Sequence, residues 1–354
     1  MITIGFYDWN LGKMTCPQGM ATNESTCLPY PGSFAAYSTE WVKHFKTVNL
    51  PVRYYDLVNE PHHYFGWNGA NLTRLSFYAD LWNIAAESMR SENSNILISQ
   101  DAIMQKAVMS YWLQHGYRVD FLDFHKYDSD FIGECTDSEL FNRAETWFYE
   151  TSATFLGVHD AQKMWYSSQG KLIPVILSEF NIVSAYVNGT DPRIQQMTGA
   201  VYTALVLKTA IQKGLSYAIY LAFSSSASWA TRTKSSGGLG FGMINSDNNL
   251  PWYPYYAQKI LSVNLAVGDA IVNVTSSSSD ISVIGWQHNS RLNILVISKV
   301  NQPRTLHVTG LGGAVNLTKI DNTIPWQNAS LQSASISVFP SLTTNGYTVM
   351  LLQS

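Results

Sequence analysis

Charge is scarce in this sequence. Only 13% of its 354 residues are Asp, Glu, Lys or Arg, about half the usual share of roughly 25%. The 22 Lys and Arg are scattered rather than clustered, which argues against a nucleic-acid partner, because such a partner needs a basic patch or stripe. Long apolar runs are missing as well. The nearest candidate, Val201 to Phe223, is interrupted by Lys208, Lys213 and Gly214; it reads as a buried helix followed by a buried strand, not as a membrane span. No glycine-rich phosphate loop follows any strand-like run, which argues against nucleotide binding. The first residues, MITIGFYDWN, have no charged region followed by an apolar core, so they do not read as a signal peptide. Cysteine is nearly absent, at three residues. Cys16 and Cys27 lie close together in a Pro/Gly/Ser/Thr-rich loop, and a local disulfide is expected there; Cys135 is left over.

What is present is neutral and aromatic. There are 20 Tyr and 11 Trp, and polarity comes from Ser, Thr, Asn and Gln. Aromatic faces with neutral hydrogen-bonding groups suit uncharged, C–H-faced ligands such as sugars; they suit a neutral secreted surface equally well. Sequons occur at Asn23, Asn71, Asn188, Asn273, Asn316 and Asn328, although with Ser and Thr this common several arise by chance. Sequons and cysteines together point to an extracellular or cell-surface location.

Short apolar runs alternate with longer amphipathic ones. Strands are expected at 2–10, 52–60, 95–103, 119–127, 172–180 and 215–223. Helices are expected at 34–48, 72–91, 104–116, 138–169, 194–214 and 255–264. This alternation predicts a parallel sheet covered by helices. Asn10, Glu60, Asp101, His125, Tyr127, Glu179 and Ser224 sit at the C-terminal ends of these strands, which is where a (β/α)₈ TIM barrel builds its active site. From about residue 265 the pattern changes to short alternating runs separated by Ser, Asn and Gly turns, the pattern of a small all-β sandwich. The expected organisation is a barrel over 1–264 and a β-sandwich over 265–354. Only six barrel strands are found where eight are needed, so the first two βα units are read as missing.

Glu60 and Glu179 each end a strand in a short polar signature, VNEP and LSEFN. Two carboxylates at one mouth, on non-adjacent strands, can sit across one bond and are the minimum apparatus for glycoside hydrolysis. One attacks the anomeric carbon, and the other protonates the leaving oxygen and later takes a proton from water. That chemistry calls for no metal and no organic cofactor. Pro61 stops the strand, so Glu60 projects into the mouth and not into the ladder.

The stretch YYDLVNEPHHYFGWNGANLTRLSFYADLWNIAAESMRSENSNILIS resembles strand four, the Asn-Glu-Pro loop and the helix and strand that follow in clan A glycoside hydrolases, most of all family 39, the β-xylosidases and α-L-iduronidases. VDFLDFHKYDSD resembles that family's strand six, VILSEFN its strand seven, and GLGFGMINSDNNLPWYPYYAQKIL the approach to its last barrel helix. The likeness covers most of the chain from residue 34 onward. It implies Glu60 as acid/base, Glu179 as nucleophile, and Asn59 as partner of the sugar 2-hydroxyl. His125 and Tyr127, two apart on one strand and so on one face, would line the same pocket, with Trp67 and Trp229 as sugar platforms.

The likeness has gaps. The family's first two strands, with a basic residue near the nucleophile, have no counterpart here, and IYLAFSSSASW lacks the usual aromatic-rich ending. Three readings stay open: a fragment, a barrel completed by another chain or segment, or lost activity. The expected function is a retaining glycosidase on β-linked oligo- or polysaccharides, xylosidase- or glucosidase-like. The alternatives are an endo-acting cellulase or xylanase of the same clan, and a non-catalytic carbohydrate-binding or surface-scaffold protein.

Overall fold

A computed structural model describes residues 1–4, 28–62, 72–129, 133–184, 191–225, 240–311, 314–323, 331–336 and 341–354. It divides into two compact units. The first holds Met1–His125, Phe148–Ser178 and Leu215–Tyr217; the second holds Lys126–Trp147, Glu179–Gly214 and Ala218–Ser354.

In the first unit, β1 (Ile2–Ile4), β2 (Tyr54–Leu57) and β3 (Leu97–Ser99) form a parallel sheet with β2 central. Helix α1 (Pro31–Thr47) packs against α2 (Leu72–Glu92). The reason α2 docks is legible in its spacing. Leu75, Tyr78, Ala79, Trp82, Ala85, Ala86 and Met89 recur every three or four residues and are all buried, which makes one apolar stripe. Two polar ends in that stripe find partners: Tyr78 Oη donates to the Leu57 carbonyl at 3.2 Å and Trp82 Nε1 to that of Ser99 at 3.2 Å. The helix therefore grips the ends of β2 and β3. Helices α3 (Lys106–His115) and α5 (Val158–Gln169) also belong to this unit.

The continuous helix expected over 138–169 is two helices, α4 (Asp137–Thr146) and α5. The break has a steric cause. Phe148 adopts φ 61°, and a Cβ on Gly157 would lie 2.5 Å from the Tyr149 carbonyl oxygen. The chain folds back so tightly that only glycine fits. Helix α4 begins at a capping box, with Thr136 Oγ1 accepting from the Glu139 backbone at 3.3 Å and Glu139 Oε2 accepting from the Thr136 backbone at 2.8 Å.

Strands β4 (Leu122–Ser129), β5 (Val175–Val183) and β6 (Tyr217–Tyr220) form a second three-stranded sheet in that order. The boundary between the units falls inside each of them. These two sheets hold six described strands, β1 to β6. A small sheet follows from β7 (Ser224–Ser225), β8 (Ile244–Asn245) and β9 (Leu250–Pro251).

The second unit holds α4, α6 (Met197–Gln212), α7 (Tyr253–Ser262) and the C-terminal strands. Those strands are β10 (Ala270–Val272), β11 (Ile281–His288), β12 (Arg291–Ser298), β13 (Arg304–Leu306), β14 (Val315–Asp321), β15 (Gln332–Ile336), β16 (Leu342–Thr344) and β17 (Thr348–Gln353). They make a six-stranded sheet, β10-β11-β12-β17-β14-β15, antiparallel throughout, and a two-stranded one, β13-β16. Helix α6 is buried without a break from Met197 to Leu207, as a helix that is apolar all round must be. Glu145 on α4 ties this unit together. It binds Lys208 of α6 at 2.7 Å, Lys299 at 2.9 Å and Ser282 of β11 at 2.7 Å. Among the described residues, no helix is long and apolar enough to cross a membrane.

Gly199 tests how tightly α6 is seated. A Cβ there would lie 2.2 Å from the Ile194 carbonyl oxygen, whereas one at Gly32 in α1 would meet nothing within 4 Å. Gly199→Ala should lose about 1–3 kcal/mol by overpacking, and Gly32→Ala should be neutral or gain up to about 1 kcal/mol. Denaturant unfolding of the two variants checks this; equal effects would contradict the packing described.

Candidate active site

The first unit carries Glu60 on an unusual turn. A strand is expected to run to Glu60, but β2 ends at Leu57. The backbone of Val58 has φ 70° and that of Glu60 φ 43°, both in the left-handed region, which no strand can use. For a β-branched residue such as Val58 this is an outlier, costing about 1–3 kcal/mol. Hydrogen bonds hold the turn in place. The Val58 N–H donates to the Ile4 carbonyl at 2.9 Å, and the Glu60 N–H donates to Asp101 Oδ2. The Glu60 carboxyl is therefore aimed by a strained turn and not by the pleat of a strand. Asn59, between the two left-handed residues, is half-buried, and Pro61 after them is buried.

Three side chains of this unit converge. His125 on β4 places Nδ1 3.0 Å from Glu60 Oε1 and Nε2 3.5 Å from Asp101 Oδ2. Asp101 follows β3 and its side chain is only 3% exposed, against 22% for that of Glu60. Burial pushes the Asp101 carboxyl up to about 8. The His125 charge and the Glu60 N–H pull it back, and Asp123 and Glu60 push it further up. Sequence reasoning gave Asp101 no role. The available signal was its place at the end of the run ILISQD, level with the other strand-end polar residues.

The second unit carries Glu179. It is the single half-buried residue in β5, whose other eight positions are all buried. Tyr127 of β4 donates its hydroxyl to Glu179 Oε2 at 2.5 Å, a short bond of the kind a carboxylate draws. The strand around it is anchored from behind. Asn181 donates its amide to the carbonyls of Leu221 and, at 3.1 Å, Phe241. Tyr202 Oη lies 2.8 Å from the Asn181 carbonyl and 3.0 Å from Asp128 Oδ2. Lys126 Nζ meets Asp128 Oδ1 at 2.9 Å, both side chains fully buried. Burial pushes the Lys126 amine down and the Asp128 carboxyl up, each opposed by the other's charge. Along β4, then, Lys126 and Asp128 alternate with Tyr127.

Other expected residues fall elsewhere. Trp67 and Trp229, the expected sugar platforms, and Asn10 lie outside the described residues, as do Cys16 and Cys27 of the expected disulfide. Cys135 is a free, buried cysteine. Among the described residues, no group of three or more His, Cys, Asp and Glu is disposed to hold a metal ion.

No protein-family model matches the chain, and no curated protein matches it by sequence. Solved structures match it by fold. A monomeric β-xylosidase from Caulobacter crescentus CB15 aligns with a TM-score of 0.63 at 13% identity, over 99% of this chain and 80% of its own. An α-L-arabinofuranosidase from Thermotoga maritima, in complex with arabinose, gives 0.62 at 12%, over 92% and 74%. A glycoside hydrolase family 30 subfamily 8 xylanase from Clostridium acetobutylicum gives 0.56 at 16%, over 91% and 71%. The chain has the fold of clan A glycoside hydrolases. Family 39 in particular stays a resemblance, since no sequence match supports it. These relatives have TIM-barrel-type folds, in which active sites are built at the C-terminal ends of strands. Glu60 follows β2, Asp101 follows β3, and Glu179 lies within β5 in the LSEFN signature.

The buried carboxyl of Asp101 has a consequence for stability. Its folded value of about 8 lies above the unfolded value of about 3.9. The stability linked to its proton is present below about pH 4 and is lost as pH rises toward 8. Asp101→Asn does not titrate there, so its melting temperature should gain on that of the wild type as pH rises from about 4 to about 8. A pH-independent difference would contradict the burial of an ionisable group at this position.

Proposed function

We propose that this protein is a retaining glycoside hydrolase that cleaves β-linked sugars, with Glu179 as nucleophile and Glu60 as acid/base. The observation that carries the reading is the contrast between the two glutamates, Glu60 after β2 and Glu179 within β5. Glu179 is met by a hydroxyl donor, Tyr127 at 2.5 Å, which suits an ionised nucleophile. Glu60 is met by an imidazole nitrogen and lies beside a second, buried carboxyl, which suits a group that must hold and return a proton. Different surroundings for two carboxylates are what a division into acid and nucleophile requires. The shared fold with a β-xylosidase supports the xylosidase- or glucosidase-like reading. The shared fold with a family 30 xylanase keeps an endo-acting enzyme as the second reading.

The mechanism runs in two displacements. Glu179 attacks the anomeric carbon while Glu60 gives its proton to the departing oxygen. Water then attacks the glycosyl-enzyme, and Glu60 takes a proton from it, so acid and base are restored together. Asn59 would bond the 2-hydroxyl, and Tyr127 would keep the Glu179 carboxylate in line for attack. The two carboxyl groups should lie about 5 to 5.5 Å apart in a crystal structure with a bound sugar, as retention requires; about 9 Å would indicate inversion. With the reading go an extracellular or cell-surface location, a barrel over 1–264 and a β-sandwich over 265–354. The two described sequon residues, Asn273 and Asn316, are exposed, as glycosylation needs.

Replacement of the glutamates separates their roles. Glu179→Gln should abolish turnover of every substrate. Glu60→Ala should still form the glycosyl-enzyme from an activated aryl β-glycoside, whose leaving group needs little acid. Azide, which needs no general base, should rescue that variant and give the β-glycosyl azide. Rescue at 179 and none at 60 would show that the acid/base lies elsewhere. Wild-type turnover unchanged in both variants would place the chemistry on other residues, and no turnover by the wild type would leave the carbohydrate-binding alternative. Tyr127→Phe removes a hydrogen bond to a charged group, worth about 1.5–3 kcal/mol, and should lower kcat by about 10- to 100-fold.

A further inference from the structure

The three groups around Glu60 cannot titrate independently. A neutral imidazole donates from one nitrogen and accepts at the other, yet His125 has a carboxyl oxygen beside both, at 3.0 Å and 3.5 Å. Either the ring is charged and donates to both sides, or one carboxyl keeps a proton and donates to the ring. With the trio at one net negative charge, these are the same protonation state: a single titrating proton rests on Glu60, on His125 or on Asp101. Groups coupled this closely lose protons as a set. Asp101 also accepts the Glu60 backbone N–H, so it touches the acid/base at two points, directly through the turn and indirectly through the ring.

We propose that Asp101 is a positioning residue for Glu60: it fixes the turn that carries the acid/base and, through His125, makes three side chains hold the acid's proton in common. The proposal rests on the reading of Glu60 as acid/base. Its effect is a wider working range. Removal of the trio's last proton leaves two carboxylates facing one neutral ring in a buried site, so that proton is kept to alkaline pH. The raised carboxyl of Asp101, at about 8, agrees in direction. Among the described residues, other ionisable groups close to the trio include Asp123, two residues before His125 on β4, and Asp56 on β2, both buried, and His62, two residues after Glu60 in the chain. Tyr78 on α2 is held neutral by burial and by the charges of Asp101 and Asp56. Neither these two carboxyls nor the tyrosine adds a positive charge that would release the proton earlier.

Asp101→Asn keeps an oxygen that can accept the Glu60 N–H but removes one charge and one proton site. Two measurements test the proposal. In the first, kcat/KM for 4-nitrophenyl β-xyloside is followed against pH. The alkaline limb should move down by about 1 unit or more, and the acid limb should stay. With 2,4-dinitrophenyl β-xyloside, which needs no acid, the shift should vanish, because kcat/KM ends at the glycosylation step. A uniform loss at every pH, with the limb unmoved, would mean that Asp101 is merely structural and would overturn the proposal. In the second, the ring nitrogens of His125 are titrated by two-bond ¹H–¹⁵N correlation NMR, with the signal assigned by its absence in His125→Gln. Asp101→Asn and Glu60→Gln should each lower the ring's midpoint by about 1 unit or more; an unmoved midpoint in both would overturn the coupling. A wild-type protein inactive on both glycosides would sink the glycosidase reading, and the ring titration would then decide the shared proton by itself.

Discussion

The hydrogen bond from the Glu60 backbone to Asp101 helps to hold a turn of disfavoured backbone. Val58 and Glu60 sit in left-handed backbone, where a β-branched residue and a glutamate are both disfavoured. A buried carboxyl, itself costly, holds the Glu60 end, and the Ile4 carbonyl holds the Val58 end. Strain and burial therefore offset each other at one point. Relaxing the turn would leave Asp101 without that donor, and removing Asp101 would leave the turn without its clamp. The packing of α2 supports both, since Tyr78 and Trp82 bind the carbonyls that end β2 and β3. A rigid helix face thus positions a strained turn, and the turn positions a carboxyl. This is the order in which a site held to a few tenths of an ångström has to be built.

Glu179 is held by different means. It lies in a regular strand, and its precision comes from a network behind it. Lys126, Asp128, Tyr202 and Asn181 satisfy one another in the interior. Such a network is costly when incomplete and rigid when complete. It leaves Tyr127, between Lys126 and Asp128, to face the one half-buried carboxyl of β5. One glutamate depends on a clamped turn and the other on an anchored strand, so a substitution that loosens one need not loosen the other.

The helices were legible because burial imposes a period. Leu75 to Met89 spells the face of α2 in its spacing alone, and the expected span of 72–91 differs from the helix by one residue. His125 and Tyr127 are both half-buried between buried neighbours on β4, as period two requires. The failures share a cause, which is long-range contact. Nothing within VNEP says that the Glu60 amide will find Asp101, forty-one residues on, so the strand was read three residues too far. Nothing local in FYETSATFLG says that Gly157 will press on the Tyr149 carbonyl, so two helices were read as one. Asp101 is legible as a strand-end residue but not in its role, which is made by burial and by a ring on another strand, neither of which has a spacing.

The central claim is that Glu179 forms a covalent bond with sugar. A 2,4-dinitrophenyl 2-deoxy-2-fluoro-β-xyloside or -glucoside tests it most directly. The fluorine destabilises the oxocarbenium-like transition states, and the good leaving group keeps the first step faster than the second, so the intermediate accumulates. Intact-protein mass should rise by one fluorosugar per chain, and peptide mapping should place it on Glu179, with Glu60 unlabelled. Labelling on any other residue, or turnover of the parent glycoside with no covalent species trapped, would contradict the mechanism.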